Sequence, residues 1–513
     1  MAAVRLADLL SGLSRLADLG FGLPIGTGLR SAVVALRLAQ EIDLPNDQAR
    51  VALYTALLHH VGCVGYSHET AQLLGDELVA NRAAARTDAA STTDALRTFV
   101  PGITRGRPPL AQARLAVIAV IRGARWGDAF TATACEVGRA STRRLHLGED
   151  VEESVFHVYD VWRDHADGPG GRKPEIPVGA RVARLCGLAV LLDSVGGPDL
   201  ATSAVRQRAG GMLDPSLAER FSAYGAAWLA DLDRADPHTT LLEEEPWPPL
   251  TTTDCRPIAE LFGDLADLKS PYLLGHSRGV AALAGRAAEE LGLSTPTVLD
   301  VELAGHLHDV GRVAVSNAIW DKKQSLTADE WEQIRLHAYY SERILAGTDE
   351  LARLVPLVGR HHERLDGSGY HRGSQATDLS MPSRILAVAD LYRTKSEPRP
   401  HRAAQPPELV EELLTAQARR GGLDPEATAA VLVAAGRQVR VTRRLPAGLS
   451  AREAEVLVLV ARGLSNAEIA ARLVISRRTA EHHVQHIYTK IGASSRAAAA
   501  IFALEHHLVG PDG

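Results

Sequence analysis

Two runs decide how this chain is read: His308-Asp309-Val310-Gly311 and, further along, His361-His362-Glu363-Arg364-Leu365-Asp366-Gly367-Ser368-Gly369-Tyr370. Around them stand His276, His337 and Asp390; with His308, Asp309, His361 and His362 they make a set of five imidazoles and two carboxylates. One histidine on an apolar helix is ordinarily a packed core residue. Adjacent His-Asp and His-His pairs, with partners at long separations, suit ligands gathered from several helices instead. Nitrogen and oxygen donors without thiolate fit iron, manganese, zinc or magnesium. Two such ions sharing a bridging carboxylate can activate a water for attack at phosphorus.

The rest of the composition agrees with a helical protein. The chain has 513 residues, enough for two to four domains with real cores. Apolar residues make up 46% but aromatics only 4%. Alanine and leucine dominate, which favours packed helices and predicts an all-α fold. The net charge of −6 excludes a polycation, so any nucleic-acid surface must be local. Cys63, Cys135, Cys186 and Cys255 are far apart and form no CxxC, as expected in a reducing cytoplasm without a thiolate metal site. Met1 to Gly20 interleaves Arg5, Asp8, Arg15 and Asp18 with apolar residues. It reads as an amphipathic helix, neither a signal peptide nor a membrane span.

The His308-Asp309-Val310-Gly311 run, with Leu326-Thr327-Ala328-Asp329-Glu330-Trp331 leading to His337, resembles the HD superfamily of metal phosphohydrolases. The run from His361 to Tyr370 is similar to the signature of the HD-GYP branch, as is Ala389-Asp390-Leu391-Tyr392 followed by Arg399-Pro400. The resemblance covers about residues 271–434 and sets a domain at 259–435. It implies an all-helical domain that hydrolyses cyclic di-GMP or a related cyclic dinucleotide at a centre of two or three metals. Carried over by position, it makes His276, His308, Asp309, His337, His361, His362 and Asp390 ligands to divalent ions, with Asp309 bridging and Asp309 and Arg312 catalytic. Three positions depart from the pattern. Arg312 stands where the family has lysine, His371 where it has the proline of the GYP triplet, and Tyr272 where trinuclear members carry glutamate. Arginine can still contact phosphate. His371 puts family-typical partner contacts in question, and Tyr272 favours two metals over three.

A second copy of this module lies upstream. Leu57-Leu58-His59-His60-Val61-Gly62 aligns with His306-Leu307-His308-Asp309-Val310-Gly311 at an offset of 249 (308 − 59). The same offset sets Thr27 opposite His276. Asp167-Gly168-Pro169-Gly170 matches Asp366-Gly367-Ser368-Gly369, Arg181-Val182 matches Arg384-Ile385, and Gly210-Gly211-Met212-Leu213-Asp214-Pro215 echoes Gly421-Gly422-Leu423-Asp424-Pro425. The first copy lacks the ligand chemistry: Thr27, His60, Trp162, Arg163 and Gly187 occupy ligand positions. Residues 1–235 are therefore expected to be a metal-free HD-like module for sensing, docking or dimerisation. A linker is expected at 236–258, where proline density and Glu243-Glu244-Glu245 do not fit a helix interior.

A basic linker, 436–447, with Arg440, Arg443 and Arg444, leads to the last domain, 448–513. Ser450-Ala451-Arg452-Glu453 and Ser465-Asn466-Ala467-Glu468 are capping boxes. Ser476 can cap a third helix running to about Ile491, with Ala480, Val484, Ile487 and Ile491 as its packed stripe. Such a helix after a short helix and a tight turn fits helix-turn-helix docking in the major groove. Leu449 to Leu457 and Gly463 to Ala470, continuing through Ser476, Thr479, His483, Ile487, Tyr488 and Lys490, resemble the LuxR-type DNA-binding domain. The resemblance implies that Glu481, His482 and Gln485 face base edges, and that Arg477, Arg478, Thr479 and Lys490 contact phosphate or flank the groove.

The combined expectation is a cytoplasmic transcription regulator. It would bind double-stranded DNA, most simply as a homodimer, and carry a phosphodiesterase site for a cyclic dinucleotide or other phosphoester, with no membrane association. A non-enzymatic sensor, binding metal and nucleotide without turnover, is the alternative the residues leave open.

Overall fold

The computed structural model describes residues 4–163, 175–438, 446–506 and 508. The Asp167–Gly170 match and the Arg440, Arg443 and Arg444 cluster lie outside these. The described chain is helical, apart from two short strands, β1 (Val4–Arg5) and β2 (Thr251–Thr252), paired antiparallel. It divides into two compact units, 1–437 and 438–513.

The first unit repeats one pattern. Helices α1 (Leu6–Gly20), α2 (Thr27–Glu41) and α3 (Asn46–Leu57) lead into a 3-10 turn at Val61–Tyr66. Later helices of this half include α4 (Glu77–Arg86) and the long α5 (Pro109–Arg144); α6 (Val178–Arg208) and α7 (Pro215–Leu232) complete its frame. A short helix, α8 (Pro237–Glu244), follows. The pattern then recurs as α9 (Arg256–Asp267), α10 (His276–Glu290) and α11 (Thr295–Leu307), with a 3-10 turn at Val310–Ala314. Next come α12 (Asn317–Trp320), α13 (Ala328–Leu345) and α14 (Met381–Ser396).

The repeat is visible at single residues. Gly26 and Gly275 both take left-handed φ, 92° and 79°, just before α2 and α10. Each helix start is held by a buried aspartate from the preceding helix. Asp18 accepts the Gly26 and Gly28 N–H groups at 2.9 and 3.0 Å, and Asp267 accepts Ser277 N–H at 2.9 Å. Such carboxylates satisfy N–H groups that have no partner within the helix. A Cβ on Gly62 would lie 1.9 Å from the Ala134 carbonyl oxygen, and one on Gly311 2.1 Å from that of His337. Both 3-10 turns therefore press backbone to backbone on the next long helix, and only glycine fits. The pairs Arg181–Asp214, at 2.7 Å, and Arg384–Asp424, at 3.0 Å, occupy the same place in each copy.

One pairing read from the sequence shifts. Glu363 N–H donates to the Arg360 carbonyl, and the equivalent bond runs from Asp160 to His157. Leu365 N–H reaches Gly422, as Trp162 N–H reaches Met212. The first-copy counterparts of His361 and His362 are therefore Val158 and Tyr159, not Trp162 and Arg163. The glycine-rich loop differs in length between the two copies, which displaces a pairing drawn through it.

The 236–258 stretch differs from the linker expected there. Asp236 caps α8, Pro237 occupies its first turn, and Pro246 lies beyond its end, so the prolines bound the helix instead of breaking it. The acidic run is neutralised from the first copy. Glu244 pairs with Arg37 at 2.8 Å, and Glu245 receives Arg5 at 2.6 Å and the Tyr54 hydroxyl at 3.1 Å. Helix α1, expected as an amphipathic helix, is buried along nearly its whole length. Asp8 and Asp18 are buried with its leucines, and Asp8 faces His238 and the Asp349 N–H at 2.8 and 3.1 Å.

The second unit forms as its capping predicts. Helices α15 (Ala451–Ala461), α16 (Asn466–Leu473), α17 (Arg477–Ile491) and α18 (Arg496–Glu505) enclose one apolar core. Both capping boxes are present, and Gly463 and Gly492 close helices at φ 85° and 66°.

Candidate metal centre and nucleic-acid interface

Six buried side chains and one half-buried one converge in the second copy. His276 opens α10, His308-Asp309 follow α11 into the 3-10 turn, His337 lies in α13 and Asp390 in α14. His361-His362 follow a single helical turn at Val355–Val358. Two groups result, Asp309 with His337, His361 and His362, and His276 with His308 and Asp390, each with ligand atoms within 4.8 Å of one another. Asp309 divides between them. Its Oδ1 lies 3.2 Å from His337 Nε2 and 3.5 Å from His361 Nε2, while its Oδ2 lies 3.6 Å from His308 Nε2 and 3.8 Å from His276 Nε2. Asp390 Oδ1 is 3.4 Å from His276 Nε2, and its Oδ2 is 3.7 Å from His362 Nδ1.

The imidazoles are oriented from behind. His308, His337 and His361 direct Nδ1 at the carbonyls of Gly305, Ile334 and Val358, each three residues back, at 2.8, 2.5 and 2.6 Å. His276 Nδ1 donates to Glu397 Oε2 at 2.8 Å. A histidine held through Nδ1–H presents the Nε2 lone pair inward. His276 Nε2, His308 Nε2 and Asp309 Oδ1 are buried without a hydrogen-bond partner. Buried polar atoms without partners, all nitrogen or oxygen and converging on two points, fit divalent ions of the iron, manganese, zinc and magnesium class.

Electrostatics keeps the carboxylates ionised. Burial pushes Asp309 up, but the Arg312 guanidinium and the imidazoles of His308, His337 and His361 more than offset it and hold the group well below the usual range. Burial likewise opposes ionisation of Asp390, and His276 and His308 outweigh it. Burial lowers His276, yet Asp390 and Glu397 raise it to about 9. Arg312 Nη1 donates to Asp309 Oδ2 at 2.8 Å, and its guanidinium lies 3.7 Å from the centroid of the Trp320 ring. Glu397, Trp320 and Tyr370, whose ring centroid lies 4.6 Å from that of His362, were not read from the sequence as site residues. Glu397 carried one usable signal: it stands two helical turns after Asp390.

The matching place in the first copy is filled by packing. His60 stacks between Phe21 and His59, at 4.4 and 4.2 Å between centroids, and its Nδ1 lies 2.8 Å from the Tyr159 hydroxyl. A Cβ on Gly187 would come within 2.8 Å of His59 Nδ1. Among the described residues, no group of three metal-type ligands forms there.

On α17, Ala480, Val484 and Ile487 are buried and Ile491 packs against the same core. Arg477, Arg478, Thr479, Glu481, His482 and Gln485 are exposed. Arg477 and Glu481 form an exposed pair at 3.1 Å. Lys490, expected to contact phosphate or flank the groove, also makes contacts within the domain. It pairs with Glu453 at 2.7 Å and donates to the Gly448 carbonyl at 3.2 Å, tying α17 to the start of α15.

Comparison with known proteins finds relatives for both domains. Residues 260–427 match the HD domain, and residues 447–503 match the bacterial regulatory proteins of the luxR family. The chain is 28% identical over 438 residues to 3'3'-cGAMP-specific phosphodiesterase 3 of Vibrio cholerae, covering 83% of this chain and 94% of that protein. It is 32% identical over 153 residues to a cyclic di-GMP phosphodiesterase of Thermotoga maritima, covering 29% of this chain and 41% of that protein. The crystal structure of a cyclic GMP-AMP specific phosphodiesterase of V. cholerae superposes with a TM-score of 0.58 at 24% identity, over 85% of this chain and 98% of the other, and shares the fold. No helix among the described residues is long and apolar enough to cross a membrane. The chain therefore carries an HD domain followed by a LuxR-type DNA-binding domain, and its relatives include cyclic-dinucleotide phosphodiesterases.

Proposed function

We propose that the HD domain is a two-metal phosphodiesterase for a cyclic dinucleotide, and that the chain is a cytoplasmic regulator coupling this site to DNA read by α17. The observation that carries the reading is the division of Asp309, one oxygen toward each ligand group. The substrate class rests on the relatives, which are phosphodiesterases for 3'3'-cGAMP and cyclic di-GMP. His276, His308 and Asp390 would hold one ion, and His337, His361 and His362 the other, with Asp309 shared. Divalent ions bound there supply Lewis acidity and an activated water. The chain's own part is to keep both carboxylates ionised, to aim four Nε2 atoms inward from carbonyl and Glu397 anchors, and to place Arg312 where it can turn from Asp309 to a phosphoryl oxygen. Stacking on Trp320 limits that arginine to a short arc.

Incubating the metal-loaded full chain with a panel of cyclic dinucleotides tests this. Linear dinucleotide should appear, and Asp309→Ala should lose more than the roughly 10–100-fold typical of changes behind the ligands. A protein that holds metal, cleaves nothing, yet changes DNA affinity with a cyclic dinucleotide would be a sensor instead.

A further inference from the structure

Helix α5 is amphipathic in two senses. Leu115, Ala119, Trp126 and Phe130 are buried on one side, the last three in the apolar core of the first copy. On the other side Leu110, Val117, Val120 and Ile121 stand 88, 55, 65 and 71% exposed. With Ala113 and Ala124, also exposed, the positions 110, 113, 117, 120 and 124 alternate steps of three and four. That is the 3.5-residue period of a coiled-coil seam. Single exposed apolar side chains need no explanation, whereas a continuous row marks a contact surface.

We propose that this row is a homodimer seam, in which α5 packs antiparallel against α5 of a second copy about a two-fold axis between Val117 and Val120. Self-complementarity selects this occupant. The antiparallel register sets Leu110 opposite Gly127, Ala113 opposite Ala124 and Val117 opposite Val120, each large residue against a smaller or equal one. Gly123 and Gly127 have nothing within 4 Å of where a Cβ would sit, so the helices can approach closely. Asp128 is the sole acid between residues 109 and 135 and lies two heptads after Arg114, on the same flank. Antiparallel pairing brings Arg114 of one copy toward Asp128 of the other, at both ends of the seam. A parallel pair would bring neither arginine to an acid. The row spans about 26 Å at 1.5 Å per residue. A single helix pair of that length falls below the about 800 Å² per partner of a standard interface. The seam alone is therefore small, and two DNA half-sites would reinforce it.

Sedimentation equilibrium of the full chain across a concentration series reads this directly. Wild type should pass from monomer to dimer, and Val117→Glu with Val120→Glu should remain monomer throughout, with an unchanged melting temperature because both side chains are exposed. Arg114→Glu and Asp128→Arg should each weaken dimerisation several-fold, and the two together should restore it. This rescue also keeps the proposal testable if the valine variants misfold. A wild type monomeric throughout, a dimer that survives the valine changes, or charge swaps without rescue would overturn the seam. So would a monomer that sediments with phosphatidylglycerol vesicles through this row, which would make the face a lipid contact.

Discussion

At the residue scale the two sites make opposite demands on charge. The candidate metal centre holds its carboxylates ionised by surrounding them with imidazole and Arg312, whereas the reader spends one of its cations on structure. Lys490 and hydrogen bonds from the Ser450 cap hold Glu453 down to about 2 from its ordinary 4.5. A carboxyl depressed on folding contributes stability that is complete above the unfolded value and lost as pH falls through the folded one. The isolated reader domain should thus lose this contribution between pH 4.5 and about 2, and Lys490→Met should flatten that limb of its unfolding curve. An unchanged acid limb would show that the pair is incidental. The exposed residues of α17 should separate in kind. Gln485→Ala should relax preference at one base at a cost of roughly 1–3 kcal/mol. Arg478→Ala should weaken binding to all sequences and reduce the salt slope by about one. Competition against a randomised operator library distinguishes them, and a changed sequence logo for Arg478→Ala alone would reverse the placement of the helix. Much of this was legible in the sequence: all seven ligand candidates do converge, because the motif order carries their identity. Lys490 was not, because nothing in its own helix shows that Glu453 lies across from it. Glu397 was missed because a supporting carboxylate has no motif of its own.

At the element scale, the first copy acts on the second through α4. Glu77 is buried, pairs with Lys269 at 2.9 Å, and accepts the Ser316 hydroxyl and Asn317 N–H at 2.8 and 2.9 Å at the start of α12. Lys269 in turn donates to the Val313 carbonyl at 2.6 Å, in the turn that carries Arg312. Glu77→Gln leaves a buried ammonium without its partner, a change that typically costs about 3–5 kcal/mol. The melting temperature should fall, and kcat should fall more than KM, because the turn bearing Arg312 and Trp320 loses its anchor. Replacing both partners with apolar residues should cost less than replacing one. A single variant as stable and as fast as wild type would separate the two copies functionally. The helical repeat itself could be read from the Leu-His-His and Leu-His-Asp runs. The placement of Tyr159 could not, because the glycine-rich loop changes length between the copies and carries a sequence alignment out of register. The 236–258 stretch looked like a linker because its prolines and acids are unfavourable within a helix. The structure puts the prolines at helix ends and supplies Arg5 and Arg37 to the acids.

At the scale of the whole molecule, one copy of a duplicated fold keeps the chemistry and the other is closed by stacked rings. The reader unit has a complete core of its own, so a fragment from about residue 446 should bind DNA alone, weakly and with steep salt dependence. The full chain should bind more tightly if the upstream unit brings two readers together; equal affinity would remove any role for it in assembly. The measurement closest to the central claim is the metal content of the purified full chain, wild type against Asp309→Ala. The shared carboxylate predicts about two divalent ions per chain, with most lost in the variant because imidazoles cannot replace a bridge. Full metal retention in Asp309→Ala would contradict it.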